Sequence, residues 1–276
     1  MGVQSFVIKF LKLDRFEPNR IVTSNIVSPK VLCAIRAIEL LYVTIALVIV
    51  WCNSASLTAY LKYFTNLTFF GIFAYLLSST IWSVFYIRQP ESERAHWVKQ
   101  GNPWWGYTHW LLYSSVVVYS VVVPIVFWAL LSKGMSKWTP MALYQNISVH
   151  AMDGVFGALG ELILSRHFLQ PIHSFLVAGV MLLYMLMTFI VYANEGTWVY
   201  PFLNWSQGPI AAAYYIGIAV CLFILFFALY FIHNARNSFF KERSARMNPE
   251  LEEEQSPVKA KQEHQHQGDK MELESV

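Results

Sequence analysis

Asn146, His150, Asp153 and Glu161 interrupt an otherwise apolar run from Met141 to Leu164. Steps of four, three and eight residues put all four on one face of a helix. An imidazole three residues from a carboxylate is suited to proton transfer: the carboxylate orients the ring and stabilises its charged form, or takes the proton itself. A hydroxyl brought beside such a pair gains the nucleophilic character it lacks alone. Two other readings fit the same residues. They can bond one another as a structural polar patch, or relay protons through a carrier by way of His150, Asp153 and Glu161.

Ionisable groups at membrane depth are costly and face protein, water or one another, so the stripe needs a bundle around it. The composition supplies one. Of 276 residues 56% are hydrophobic and 13% charged, about half the charge of a soluble domain. Six stretches are long and apolar enough to cross a bilayer: Val31–Cys52, a segment within Leu57–Ile87, Trp110–Leu131, Met141–Leu164, Ile172–Tyr192 and Ile210–Asn234. The expectation is an all-α, polytopic six-helix transmembrane bundle over residues 31–235. A basic arm (1–30) precedes it, and a tail (236–276) follows that is basic, then acidic and disordered. Thirteen Lys and Arg flank one side and three the other, which puts both termini in the cytosol.

Finer expectations follow from single residues. Arg36 and Glu39 sit near a span start, where they reach the interface or pair with each other. Pro124 kinks the third span. Glu161, near the cytosolic end, snorkels or pairs with Arg166. Gly154, Gly157 and Gly160 form a face that lets a neighbour approach closely. Trp104, Trp105 and Trp110 read as an interfacial belt. Cys33, Cys52 and Cys221 have no disulfide or metal-ligand spacing, and no cofactor is implied. His264 and His266 belong to a solvated tail. The sequons at Asn66, Asn146 and Asn204 lie in or near spans and are not expected to carry glycans. No basic face interleaved with aromatics points to nucleic acid, and no cleavable leader is visible.

Three short stretches carry a resemblance: KYFT ending at Thr65, HAMD from His150 to Asp153, and GTWVYP from Gly196 to Pro201. In order, spacing and six-span layout they resemble the androgen-induced and androgen-dependent TFPI-regulating transmembrane proteins, with the insect rolling-stone proteins as more distant relatives. The likeness covers roughly residues 35–235. It implies a threonine hydrolase of fatty acid esters of hydroxy fatty acids, acting on membrane lipids in the endoplasmic reticulum or another endomembrane. Thr65 stands at the family's nucleophile. Members with that activity carry His where this chain has Asp153, so the base is His150, oriented by Asp153, or Asp153 itself. The resemblance also makes the GTWVYP segment a lid over a lipid pocket, where its Trp198 and Tyr200 alone would read as belt. With spans starting near Leu57 and Met141, Thr65 is expected about 12 Å deep, His150 about 14 Å and Asp153 about 18 Å.

Overall fold

The computed structural model describes residues 2–133 and 137–247; the acidic tail with His264 and His266 lies outside the described residues. Among these there is helix and no strand. Helix α1 (Val3–Phe10) lies in the N-terminal arm. Six longer helices follow: α2 (Pro29–Cys52), α3 (Phe64–Arg88), α4 (Pro103–Leu131), α5 (Pro140–Leu164), α6 (His173–Glu195) and α7 (Pro209–Met247). All six are long and apolar enough to cross a membrane. The chain is an all-α, multi-pass membrane protein.

Three spans open on one local device, a polar cap followed by proline. The side chains of Ser28, Asn102 and Thr139 accept the N–H of Val31 (3.4 Å), Trp104 (3.0 Å) and Ala142 (3.2 Å). Pro29, Pro103 and Pro140 then occupy first helical positions, where no N–H is missed. This moves the start of α4 seven residues ahead of Trp110 and buries that indole completely. Its Nε1 donates to the Phe168 carbonyl at 2.7 Å, so Trp110 is core and not belt. Trp104 and Trp105 remain exposed.

Helix α4 is the central element: half of its most apolar window is buried, against 17% for α7. Pro124 does not break it. The proline withholds the N–H that Ser120 would receive, and from Phe127 to Leu131 the helix widens to π-type bonding, with Ser132 N–H on the Phe127 carbonyl. Helix α5 has a second π stretch, Gly154–Gly160, after a distorted turn at Ala151. Its glycines let α5 lie against α4. A Cβ on Gly154 would stand 3.2 Å from the Ser120 carbonyl, and one on Gly157 would overlap the Ser120 hydroxyl and lie 2.8 Å from Ser120 Cβ. Gly157→Ala is therefore expected to cost about 1–3 kcal/mol, read as a lower thermal midpoint in detergent. Ser120→Gly in the same chain should recover most of it. An unchanged midpoint would mean that the α4–α5 contact yields freely.

Widening the turn also rotates Glu161 off the stripe expected for a regular helix. Glu161 neither snorkels nor pairs with Arg166. Fully buried Arg36 binds it through two nitrogens, Nε to Oε1 at 3.0 Å and Nη2 to Oε2 at 2.9 Å, and the Tyr75 hydroxyl donates to Oε2 at 2.7 Å. Arg36 reaches neither the interface nor a bond with Glu39; its Nη1 donates to the Ile21 carbonyl (2.5 Å) and lies 3.5 Å from Ser83 Oγ. Glu39 Oε2 has no hydrogen-bond partner among the described residues. Arg166 bonds Thr23 through Nη1, and its carbonyl accepts from Arg20; burial and the nearby Arg20 charge hold its pKa below the usual guanidinium value. The described residues from Asn234 to Met247 belong to a second unit, in which Arg236 bonds the Asn237 side chain.

Candidate active site

Thr65 is the second residue of α3, because the chain makes a separate short helix (Leu57–Leu61) before it. The depth expected from a continuous helix starting at Leu57 is thereby corrected: Thr65 lies one residue into its span, whereas His150 closes the regular part of α5, ten residues in.

The first turn of α3 has bare N–H groups and no side-chain cap of its own. Tyr200, from the GTWVYP segment, supplies the acceptor: its hydroxyl receives the Phe64 N–H at 3.0 Å. The same hydroxyl is in hydrogen-bonding reach of the Thr65 side chain, the Thr65 N–H and the Tyr184 hydroxyl. Burial raises the Tyr200 pKa, and these four neighbours pull it partly back. Tyr184 in turn donates to the Lys62 carbonyl at 2.9 Å. Two of the three motif stretches thus meet at one point, and a third hydroxyl from α6 joins them. Tyr200→Phe removes the acceptor at a cost of about 1 kcal/mol. Hydrogen exchange at Phe64 and Thr65 should then speed up about fivefold; unchanged protection would mean that the cap does not hold that turn.

Below these hydroxyls lies an apolar cavity of about 190 Å³. Its walls come from the start of α3, the second half of α4, the middle of α6, the first half of α7 and the loop carrying Tyr200, Phe202 and Leu203. An apolar void of about 150 Å³ has room for a benzene ring, so this one has room for a hydrocarbon segment. Two further hydroxyls on its wall are already committed, Thr188 to the Met185 carbonyl and Tyr215 to the Leu203 carbonyl. The polar end is therefore the group formed by Thr65, Tyr184 and Tyr200. The GTWVYP loop packs as a wall of the cavity: Tyr200 and Phe202 are buried and stack at 5.1 Å, while Trp198 stacks on Tyr192.

His150 and Asp153 are both buried and point inward. The His150 ring lies flat on Phe127, centroids 3.5 Å apart, and its Nδ1 has no hydrogen-bond partner among the described residues. Phe127 also lines the cavity, so one aromatic ring separates His150 from the void. Asp153 faces Ser120 of α4, but neither carboxylate oxygen meets that hydroxyl along the line a hydrogen bond requires. No hydrogen bond among the described residues joins Thr65 to His150, Thr65 to Asp153, or His150 to Asp153. Asn146 bonds back to the Ala142 carbonyl and stays out of the group. π-helical turns are rare and concentrate at functional sites; here one contains Phe127 and the other begins just after Asp153.

Sequence reasoning missed Tyr184 and a polar layer at the opposite end of the bundle. There Ser78 meets His109 (3.0 Å), Tyr113 meets His233 (2.6 Å) and Ser114 meets His173 (2.9 Å). The available signal was that each of these histidines falls inside or at the edge of a span, where a polar side chain must find a partner. Among the described residues no three His, Cys, Asp or Glu stand close enough to hold a metal ion.

No family model matches the chain, and no solved structure matches it. It is 25% identical over 142 residues to the protein rolling stone of Drosophila melanogaster. That alignment takes in 48% of this chain and 50% of the fly protein, so the chain spans about half the length of the curated relative it matches. What fold and comparison together establish is a multi-pass membrane protein with a distant, partial likeness to rolling stone.

Proposed function

We propose that this protein hydrolyses a lipid ester within the bilayer, with Thr65 as nucleophile. The observation that supports it is the position of Thr65, at the polar end of an apolar cavity and bracketed by Tyr184 and Tyr200. The cavity takes hydrocarbon of the substrate and the hydroxyl group receives the ester, as in fatty acid esters of hydroxy fatty acids. Thr65 Oγ bonds to the acyl carbon and its proton passes to a base; that proton leaves with the departing alcohol, and water then cleaves the acyl-threonine to the acid. His150 is the base in this reading, reached when an acyl chain displaces Phe127. Asp153 is the alternative base, and Asp153→Asn against His150→Ala separates the two. Both termini are proposed to be cytosolic and the location an endomembrane such as the endoplasmic reticulum.

The test uses purified full-length protein in nanodiscs with such an ester. Release of the hydroxy fatty acid, together with an acyl adduct on the peptide containing Thr65, supports the reading. A second reading, lipid binding without cleavage, is favoured by the absence of a hydrogen bond between Thr65 and either base. It gives a raised thermal midpoint with ester present and neither adduct nor release, and that result sinks the hydrolase.

A further inference from the structure

Helix α1 presents three different faces. Leu11, just past its end, and Ile8 pack against the bundle core. Val3, Phe6 and Phe10, at the i, i+3, i+7 spacing of one stripe, are 82%, 58% and 55% exposed, with the two Phe rings stacked at 5.7 Å. Ser5 and Lys9, both exposed, lie on the remaining side. The helix has a fixed place. The Leu11 carbonyl accepts from His173 Nε2 at 3.1 Å, Lys12 turns the chain through a left-handed conformation (φ 54°), and the next residue, Leu13, is buried in the core. His173 is the first residue of α6, so α1 is pinned where spans α2, α4 and α6 begin, at the membrane boundary.

Isolated exposed apolar residues are ordinary, but a stacked aromatic stripe on a helix held at that height is not. Lys9 on the helix and Lys12 and Arg15 just after it are exposed, as are Asp14 and Glu17, and Glu17 is paired with Arg20, so the flank nearest the stripe carries net positive charge. An apolar stripe beside a basic flank is the pattern of a helix lying in the plane of the interface, rings among the upper acyl carbons and cations among anionic headgroups. From this geometry we propose that α1 is an interfacial foot that binds the anionic phospholipids of the leaflet at that end of the bundle, through Phe6 and Phe10 below and Lys9 and Lys12 above. The foot is independent of any chemistry at Thr65.

The test places a nitroxide at Phe6→Cys or, as the polar-face control, Ser5→Cys, in full-length protein carrying Cys52→Ser and Cys221→Ser. Ser5 and Phe6 are both exposed, so a label at either position displaces no core side chain. In nanodiscs of phosphatidylcholine with phosphatidylserine, the Phe6 label should collide several-fold more with oxygen than with a water-soluble nickel chelate, and the Ser5 label should show the reverse. Omitting phosphatidylserine should move the Phe6 label towards water. Equal nickel access at both positions overturns the proposal, as does a depth indifferent to phosphatidylserine. A Phe6 label shielded from both reagents also overturns it, because a protein surface and not lipid would then cover the stripe.

Discussion

Thr65→Ala is expected to abolish ester hydrolysis, by about 10³-fold or more, the order lost when a nucleophile working through a general base is removed. At 25 °C that is about 4 kcal/mol of transition-state stabilisation. The change deletes a hydroxyl at the start of a helix whose first N–H is already capped by Tyr200, so the thermal midpoint should hardly move. Thr65→Ser keeps the oxygen and should keep most of the turnover. If both variants turn over like the parent, Thr65 is a cavity-wall residue and the nucleophile must be sought elsewhere. Phe127→Ala sharpens the test, because its ring alone separates the cavity from His150; if His150 is the base, opening that partition should raise turnover or leave it intact.

Arg36→Met should be the most destabilising single change, about 3–5 kcal/mol, because it strands a buried carboxylate. Glu161 would keep only the Tyr75 hydroxyl, the Ile21 carbonyl would lose its donor, and Glu39 would lose the cation that faces it. For a chain of this size the thermal midpoint should fall by about 10 °C. The double change Arg36→Met with Glu161→Gln removes both charges and should recover much of the loss, as neutral replacements of buried ion pairs commonly do. A double variant no better than the single one would mean that the pair is held for its shape and not its charge.

The membrane character of the chain was legible at once, since apolar length is the strongest signal a sequence gives. Helix starts were equally available in Ser28–Pro29, Asn102–Pro103 and Thr139–Pro140, because a cap followed by proline is a local device. The glycine face was readable for the same reason: Gly154, Gly157 and Gly160 meet a neighbour in whatever conformation the helix takes. What periodicity could not deliver was the outcome of long-range contacts. A wheel drawn at regular helical spacing put Glu161 on the stripe with His150, and the π stretch at Gly154–Gly160, stabilised by packing on Ser120, turned it towards Arg36 instead. Thr65 was singled out from the motif it ends, but the cap of its helix turn, Tyr200 on the Phe64 N–H, comes from a loop 136 residues away from Phe64, and no local pattern announces that.

The separation of Arg36 from Glu161, 125 residues along the chain, has a consequence for how the protein is made. At about 5–20 residues per second, the first span leaves the ribosome roughly ten seconds before its counter-ion exists. A lone arginine in hydrocarbon costs several kcal/mol. The nascent first helix must therefore wait beside the insertion machinery, or hold its guanidinium at the lipid surface, until the fourth span arrives and lets both sink together.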